Sequence, residues 1–417
     1  MRAIPSWVII MGVGCSPTPV TRTPDSGKLD ECSWLEDPAA SGVADLVIDD
    51  GFAVSVTLGS DSEPVPFVVD TGSSGCAVSD WLARDLGLPV RDGFETVLNG
   101  EVLEGVPSVH VPLLTVAGLT FREVPAMILD VEKVAEHAPQ LSCKFRRVGG
   151  VIGNDLLSQG RWQIDPQRGR LSAWGPRAAR PDPSGTAIVI NREQGLWLVD
   201  AKIGHCCSTR VALDLGSDGQ LTEFPEGMTV LRQAYPNAPT AQWTGAHSSM
   251  VRGNVSGETT VARIPGLQLG ELRISGVIVS STTGDPQHDY PLLGTGVLEH
   301  FVLTLDWSRS TIWLAPTSPI PTSRESVGFG LLFDPHHAGL VVVAIARRSP
   351  AEEQGIGVGD QIVEIDGTKT AGLSMSQYCD WREKQPRGRE ERHTLEAIVS
   401  RNGHSRRLVL ESRDLLQ

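Results

Sequence analysis

Short runs of alternating apolar and polar residues, broken by turns, run along most of this chain. Phe52-Ala53-Val54-Ser55-Val56-Thr57-Leu58 has the two-residue period of a strand with one buried face. After a turn at Ser60–Pro64, Pro66-Phe67-Val68-Val69 is apolar nearly throughout and reads as a buried strand that delivers Asp70 into a turn of glycines and hydroxyls. Trp81–Leu86 is predicted as a short helix. Phe94–Val109 alternates about Asn99-Gly100, a pair that favours a tight hairpin. Further on, Leu196–Ile203 reads as a strand, Cys206-Cys207-Ser208 as a turn, and Arg210–Asp214 as a second strand ending in an acid.

That second acid belongs to a repeat. Val211-Ala212-Leu213-Asp214-Leu215-Gly216-Ser217-Asp218-Gly219 follows the pattern of Phe67-Val68-Val69-Asp70-Thr71-Gly72-Ser73-Ser74-Gly75. Downstream, Val151-Ile152-Gly153 matches Leu292-Leu293-Gly294, and each glycine leads an acid at one fixed spacing, Asp165 and Asp306. A tryptophan closes each copy, Trp174 and Trp313. Two blocks held at nearly one separation mark an internal duplication.

An acid straight after a buried strand must pair, accept hydrogen bonds, or sit in a cleft where its protonation is tuned. Two such acids brought together cannot both ionise cheaply, so one is held protonated and the pair titrates as a unit. The ionised member can take a proton from water while its partner polarises a peptide carbonyl. That chemistry needs no metal or other cofactor. Neither an H-E-x-x-H, a G-x-S-x-G elbow nor a phosphate loop is present. His205 beside Cys206-Cys207, and the pair His336-His337, lack a second ligand cluster at suitable spacing for a metal.

The paired elements resemble the two lobes of a pepsin-type or retropepsin-like aspartic peptidase over about residues 43–316. The resemblance implies a mainly β, bilobal double β-barrel, in which the strand before each Asp and the hydrophobic-Gly segment thread past each other beneath the active site. It implies Asp70 and Asp214 as the catalytic dyad, Gly72 and Gly216 as close-approach positions, and Ser73 and Ser217 as donors to the outer carboxylate oxygens. Thr71 would exchange hydroxyl bonds with its counterpart across the lobes, but that counterpart is Leu215, where the family has Thr or Ser. The hairpin about Asn99-Gly100 is the candidate flap, without the tyrosine of the pepsin branch, and Gln242-Trp243-Thr244-Gly245 falls at the place of a second flap.

The rest of the chain changes the picture at its two ends. Residues 325–413 resemble a PDZ domain: Gly328-Phe329-Gly330-Leu331 is similar to that family's carboxylate-binding loop, and Ser349-Pro350-Ala351, Gly359-Asp360 and Ile365-Asp366-Gly367 follow in order. The resemblance implies capture of peptide C-termini or extended segments at a sheet edge, with Leu373–Lys384 as the groove helix. Near the start, Ile4–Val13 is a short apolar run after Met1-Arg2, suited to an export signal. Gly12-Val13-Gly14-Cys15 resembles a bacterial lipoprotein signal, although Gly12 replaces the usual Leu, and this implies a membrane anchor through lipid on Cys15. The alternative is a cleaved signal and a soluble secreted or periplasmic protein.

The organisation expected is therefore a signal at 1–15, a flexible tether at 16–44, lobe one at 45–176, a linker at 177–186, lobe two at 187–315, a Pro-rich linker at 316–324 and the PDZ-like unit at 325–413. A 417-residue chain with 40% hydrophobic and 21% charged residues has room for these cores. Its 44 Gly and 28 Pro suit strands and turns. A net charge of −14 argues against nucleic acid as a partner. Of 7 cysteines, Cys15 is assigned to lipid and the other six leave their pairing open. The function expected is an aspartic endopeptidase acting on polypeptides. The alternatives are an inactive peptide-binding scaffold of the cell envelope on the same fold, and a peptidase whose PDZ-like unit gates the cleft.

Overall fold

The structure is a computed structural model that describes residues 33–416 except 49–50, 61, 99–100, 131–142, 144–147, 194, 250–252, 284–289, 319–326, 337 and 385–393. The export signal, Cys15, Cys32 and the Asn99-Gly100 pair lie outside the described residues. Strands dominate, as the alternation predicts.

Lobe one opens with β1 (Trp34–Leu35), β2 (Ser41–Ile48), β3 (Phe52–Leu58), β4 (Val65–Val69), β5 (Cys76–Ser79) and α1 (Asp80–Asp85). It continues with β6 (Val90–Leu98), β7 (Glu101–Val116), β8 (Leu119–Leu129), β9 (Gly150–Ile152), α2 (Asn154–Leu157), β10 (Arg161–Asp165) and β11 (Arg170–Trp174). Pairing runs β3–β4–β9–β5–β8–β7 and back to β3, so six strands close into a barrel. Its inward positions, among them Phe52, Val54, Val56, Phe67 and Val69, are buried. The expected tether ends earlier than residue 44, because β1 pairs with β8 and β2 pairs with β11 from Ser41 onward. Those residues carry the apolar positions Leu35 and Ala44, which pack against the core.

Lobe two repeats the plan. It comprises β12 (Thr186–Val189), β13 (Asn191–Glu193), β14 (Leu196–Ile203), β15 (Cys207–Leu213), β16 (Leu221–Thr222), α3 (Pro225–Ala234) and β17 (Thr240–Ser249). Then come β18 (Gly253–Leu269), β19 (Leu272–Thr282), β20 (Leu292–Leu293), α4 (Thr295–Leu298), β21 (Phe301–Asp306) and β22 (Thr311–Pro316). Here too the pairing closes, β14–β15–β20–β16–β19–β18 and back to β14. Strand β15 starts at Cys207, so the turn expected at Cys206-Cys207-Ser208 lies slightly earlier. Cys206 and Cys207 are joined to each other.

Between the barrels lies one antiparallel sheet, ordered β12–β22–β21–β10–β11–β2. Its centre is the pairing of β10 with β21, Arg161↔Asp306 through Ile164↔Leu303. The two tryptophans of the repeat meet here: the guanidinium of Arg161 sits 5.7 Å from the Trp174 ring and 5.8 Å from the Trp313 ring. One cluster of buried apolar side chains runs through both lobes, from Leu46 to Leu314.

The C-terminal unit contains β23 (Val327–Gly328), β24 (Leu331–His336), β25 (Gly339–Ala346), α5 (Pro350–Glu353), β26 (Gln361–Ile365) and β27 (Thr368–Lys369). It ends with α6 (Met375–Lys384), β28 (Thr394–Arg401), β29 (His404–Glu411) and β30 (Arg413–Asp414). Helix α6 begins two residues later than predicted because Ser374 caps it: its hydroxyl accepts from the Gln377 N–H at 3.2 Å, and the Gln377 side chain accepts from the Ser374 N–H at 2.8 Å. The unit is built into lobe two. Strand β25 pairs with β17 at Trp243↔Ala346, Thr244↔Ile345 and Gly245↔Ala344, making one continuous sheet. Leu416, beyond β30, packs with Ala241, Val261 and Ile278 of lobe two. A disulfide between Cys143 and Cys379 ties α6 to the segment of lobe one between β8 and β9.

Candidate active site

Each acid is carried by a strand with neighbours on both sides. Strand β4 runs parallel to β9, with Phe67↔Gly150 and Val69↔Ile152, and the Asp70 N–H extends that ladder by donating to the Ile152 carbonyl at 3.0 Å. In lobe two β15 runs parallel to β20, and the Asp214 N–H donates to the Leu293 carbonyl at 2.9 Å. The threading implied by the resemblance is thus present twice. It brings both turns to the boundary between the barrels.

There the turns face each other. The Gly72 N–H donates to Asp70 Oδ1 at 2.8 Å, and the Gly216 N–H to Asp214 Oδ1 at 2.8 Å. Asp214 Oδ1 also accepts from the Ser217 N–H at 3.1 Å. A Cβ on Gly72 would stand 2.4 Å from Asp214 Oδ1, and one on Gly216 would stand 2.6 Å from the Asp70 carboxyl carbon. Each glycine therefore leaves the space that the opposite carboxyl fills. Asp70 is 3% exposed and Asp214 fully buried. Burial first, and then the charge and hydrogen bond of Asp70, raise the Asp214 carboxyl well above the usual carboxylate range.

The supporting side chains are placed unequally. The Thr71 hydroxyl reaches across the lobes, donating to the Leu213 carbonyl at 2.8 Å and accepting from the Leu215 N–H at 3.1 Å. The Leu215 side chain is buried in the core and returns no such bond. The serines depart from their implied roles. The Ser73 hydroxyl donates to the Gly75 carbonyl at 2.7 Å, closing its own turn instead of reaching the outer oxygen of Asp70. The Ser217 hydroxyl has no hydrogen-bond partner among the described residues.

Sequence reading missed Asn154, which is buried and donates to the carbonyls of Thr71 and Gly195. Its signal was the polar residue after each repeated glycine, Asn154 after Gly153 and Thr295 after Gly294. Cys76 is one of the six cysteines whose pairing the sequence leaves open. Cys76 is a free, buried thiol that donates to Asp155 Oδ1 at 3.2 Å. Burial raises both groups, the Asp155 carboxyl to about 6. His205 pairs with the Tyr235 hydroxyl at 3.0 Å, and His337 lies outside the described residues.

At the C-terminal unit, Gly328-Phe329-Gly330-Leu331 forms the bend from β23 into β24. Gly330 has φ +76°, and a Cβ there would meet the Ser349 side chain. The Gly330 carbonyl accepts from the Ala346 N–H at 2.8 Å and the Phe329 carbonyl from the Ala351 N–H at 3.0 Å, which fixes the bend against β25 and α5. Among the described residues β24 pairs on one side only, with β25. The rings of Phe333 of β24 and Trp381 of α6 lie 6.1 Å apart, so strand and helix pack side by side.

Residues 54–156 match the family model of an aspartyl protease, a span from β3 to α2 that includes the whole Asp70 turn. Residues 341–396 match that of a PDZ domain, a span from β25 into β28. No curated protein matches the chain. The chain therefore carries an aspartyl-protease-like domain and, C-terminal to it, a PDZ domain, which together support a protease-like or peptide-binding role.

Proposed function

We propose that this chain is an aspartic endopeptidase whose Asp70 and Asp214 share one proton and activate water against a peptide bond. The observation that carries the reading is the mutual fit of the two turns, each carboxyl lying in the space its opposite glycine leaves. In the cycle, the ionised member takes a proton from water and the protonated member donates to the carbonyl oxygen of the scissile peptide. The tetrahedral adduct then breaks at the C–N bond as a proton passes to the leaving nitrogen. The N–H groups of Gly72 and Gly216 hold one oxygen of each carboxyl in place.

Asp70→Asn and Asp214→Asn test it. Each is expected to lower the rate of cleavage of an unfolded protein by about a thousand-fold or more while leaving the melting temperature near wild type. Loss in Asp70→Asn alone, with Asp214→Asn still active, overturns the paired mechanism. A wild-type chain that binds unfolded polypeptide without cutting it leaves the scaffold reading.

A second reading concerns control, and the pairing of β17 with β25 favours it. The β17–β18 hairpin follows α3 as the β6–β7 hairpin follows α1, so it stands at the flap position of lobe two. Its outer edge is occupied by the PDZ strand. Peptide bound along β24, which pairs with the opposite edge of β25, acts on that hairpin through one shared strand. The PDZ domain in this reading gates the cleft as well as gripping a peptide terminus. The Cys143–Cys379 disulfide also supports an exported protein, since such bonds persist in oxidising compartments. Anchoring through lipid on Cys15 completes the proposal.

A further inference from the structure

We infer that Asn154 is a positioning residue for the Asp70/Asp214 pair, supplying from lobe one the cross-lobe bonding that the side chain of Leu215 cannot. For its kinetic readout the inference rests on the peptidase reading. The duplication makes the comparison direct. Thr71 and Leu215 are counterparts, and so are Asn154 and Thr295. Thr71 forms two hydrogen bonds into lobe two, one of them from the Leu215 N–H, whereas the Leu215 side chain offers only hydrocarbon toward lobe one.

The second pair of counterparts is also unequal, in the compensating sense. Thr295 keeps its hydroxyl inside its own lobe, donating to the Ser217 carbonyl at 2.9 Å. Asn154, 1% exposed, instead uses both amide hydrogens, one to the Thr71 carbonyl at 2.7 Å and one to the Gly195 carbonyl at 2.9 Å. Both partners are acceptors, so the NH2 end of the side chain must face them. Gly195 belongs to lobe two, in the turn between β13 and β14, and lies against Ser74: a Cβ on it would be 2.7 Å from the Ser74 Cβ. One side chain thus spans from the Asp70 turn to the opposite lobe.

The contact with Thr71 reaches the acid through a single rigid unit. The Thr71 carbonyl and the Gly72 N–H belong to the same planar peptide. Asn154 holds the carbonyl end, and the N–H end donates to Asp70 Oδ1. Rotation of that plane would misdirect the N–H and release Asp70 from its place opposite Gly216. Asn154 acts on the carboxyl through this peptide without touching substrate.

The test uses the full chain with Asn154→Ala, Leu215→Thr and the double variant. Three quantities are read: thermal melting, kcat and KM against pH on an unfolded protein, and the carbon-13 carboxyl titrations of Asp70 and Asp214. Asn154→Ala is expected to lower kcat by about ten- to a hundred-fold with KM within about two-fold, and to move the dyad titration. Adding Leu215→Thr, which restores a hydroxyl brace, is expected to recover most of both. Wild-type titrations and pH profile in Asn154→Ala overturn the inference, as does a double variant no better than the single one. If the wild-type chain cuts nothing, the peptidase reading fails and the carboxyl titrations alone decide the role of Asn154.

Discussion

Asp155 lies one residue beyond Asn154, and its carboxyl makes the fold sensitive to pH. In the folded chain it holds its proton up to about pH 6, whereas its ordinary value is 3.8. A raised carboxyl supports folding below its ordinary value, and that support is lost as pH rises through the folded one. Because Asp155 is only part-buried, the loss expected between about pH 4 and pH 7 is about 1–2 kcal/mol, below the full value of the shift. Asp155→Asn keeps an acceptor for the Cys76 thiol and the Leu156 N–H. Urea unfolding across that range should show the variant gaining on wild type as pH rises. Parallel curves would mean that Asp155 does not titrate in this window. At this scale the meeting of the two Asp-x-Gly turns was legible, since a buried strand ending in that pattern occurs twice in the repeat. The serine roles were not, because a hydroxyl in a tight turn bonds whichever carbonyl is nearest, and for Ser73 that is Gly75.

Among the elements, the β6–β7 and β17–β18 hairpins have unlike neighbours. Strand β6 ends its sheet among the described residues, while β17 is flanked by β25 of the PDZ domain. Gly245 permits that approach: a Cβ on it would stand 2.1 Å from the Val343 carbonyl oxygen, and its φ is +137°. Gly245→Val should part the two strands at a cost of about 1–3 kcal/mol. Hydrogen exchange should then speed up in both β17 and the Ala344–Ala346 end of β25, and cleavage should lose its response to a C-terminal peptide. Unchanged protection in β17 would mean that the hairpin stands without the PDZ strand. The first hairpin was readable from the alternation of Phe94–Val109, whereas for the second the sequence offered only the position of Gln242-Trp243-Thr244-Gly245. Their different fates were not readable, because backbone pairing between distant strands leaves no mark on side-chain pattern.

Over the whole molecule, the C-terminal domain is fastened to both lobes, by strand pairing to one and by Cys143–Cys379 to the other. The disulfide spans 236 residues of sequence, so its removal frees a long loop in the unfolded chain. Cys143→Ser with Cys379→Ser is expected to lower stability by about 2–4 kcal/mol in denaturant unfolding and to expose the PDZ domain to limited proteolysis. A variant as stable and as protease-resistant as wild type would make the bond incidental. Six cysteines could not reveal this pairing from sequence, since it depends on where α6 comes to rest beside lobe one. The two-barrel plan was legible for the opposite reason, being written twice in the chain.

A docked PDZ domain has one further consequence. A polypeptide caught by its tail along β24 would enter the cleft at a set reach, so the scissile bond would be chosen by its distance from the terminus. Lengthening such a substrate between tail and cut should move the cut by the same number of residues, as a ruler would.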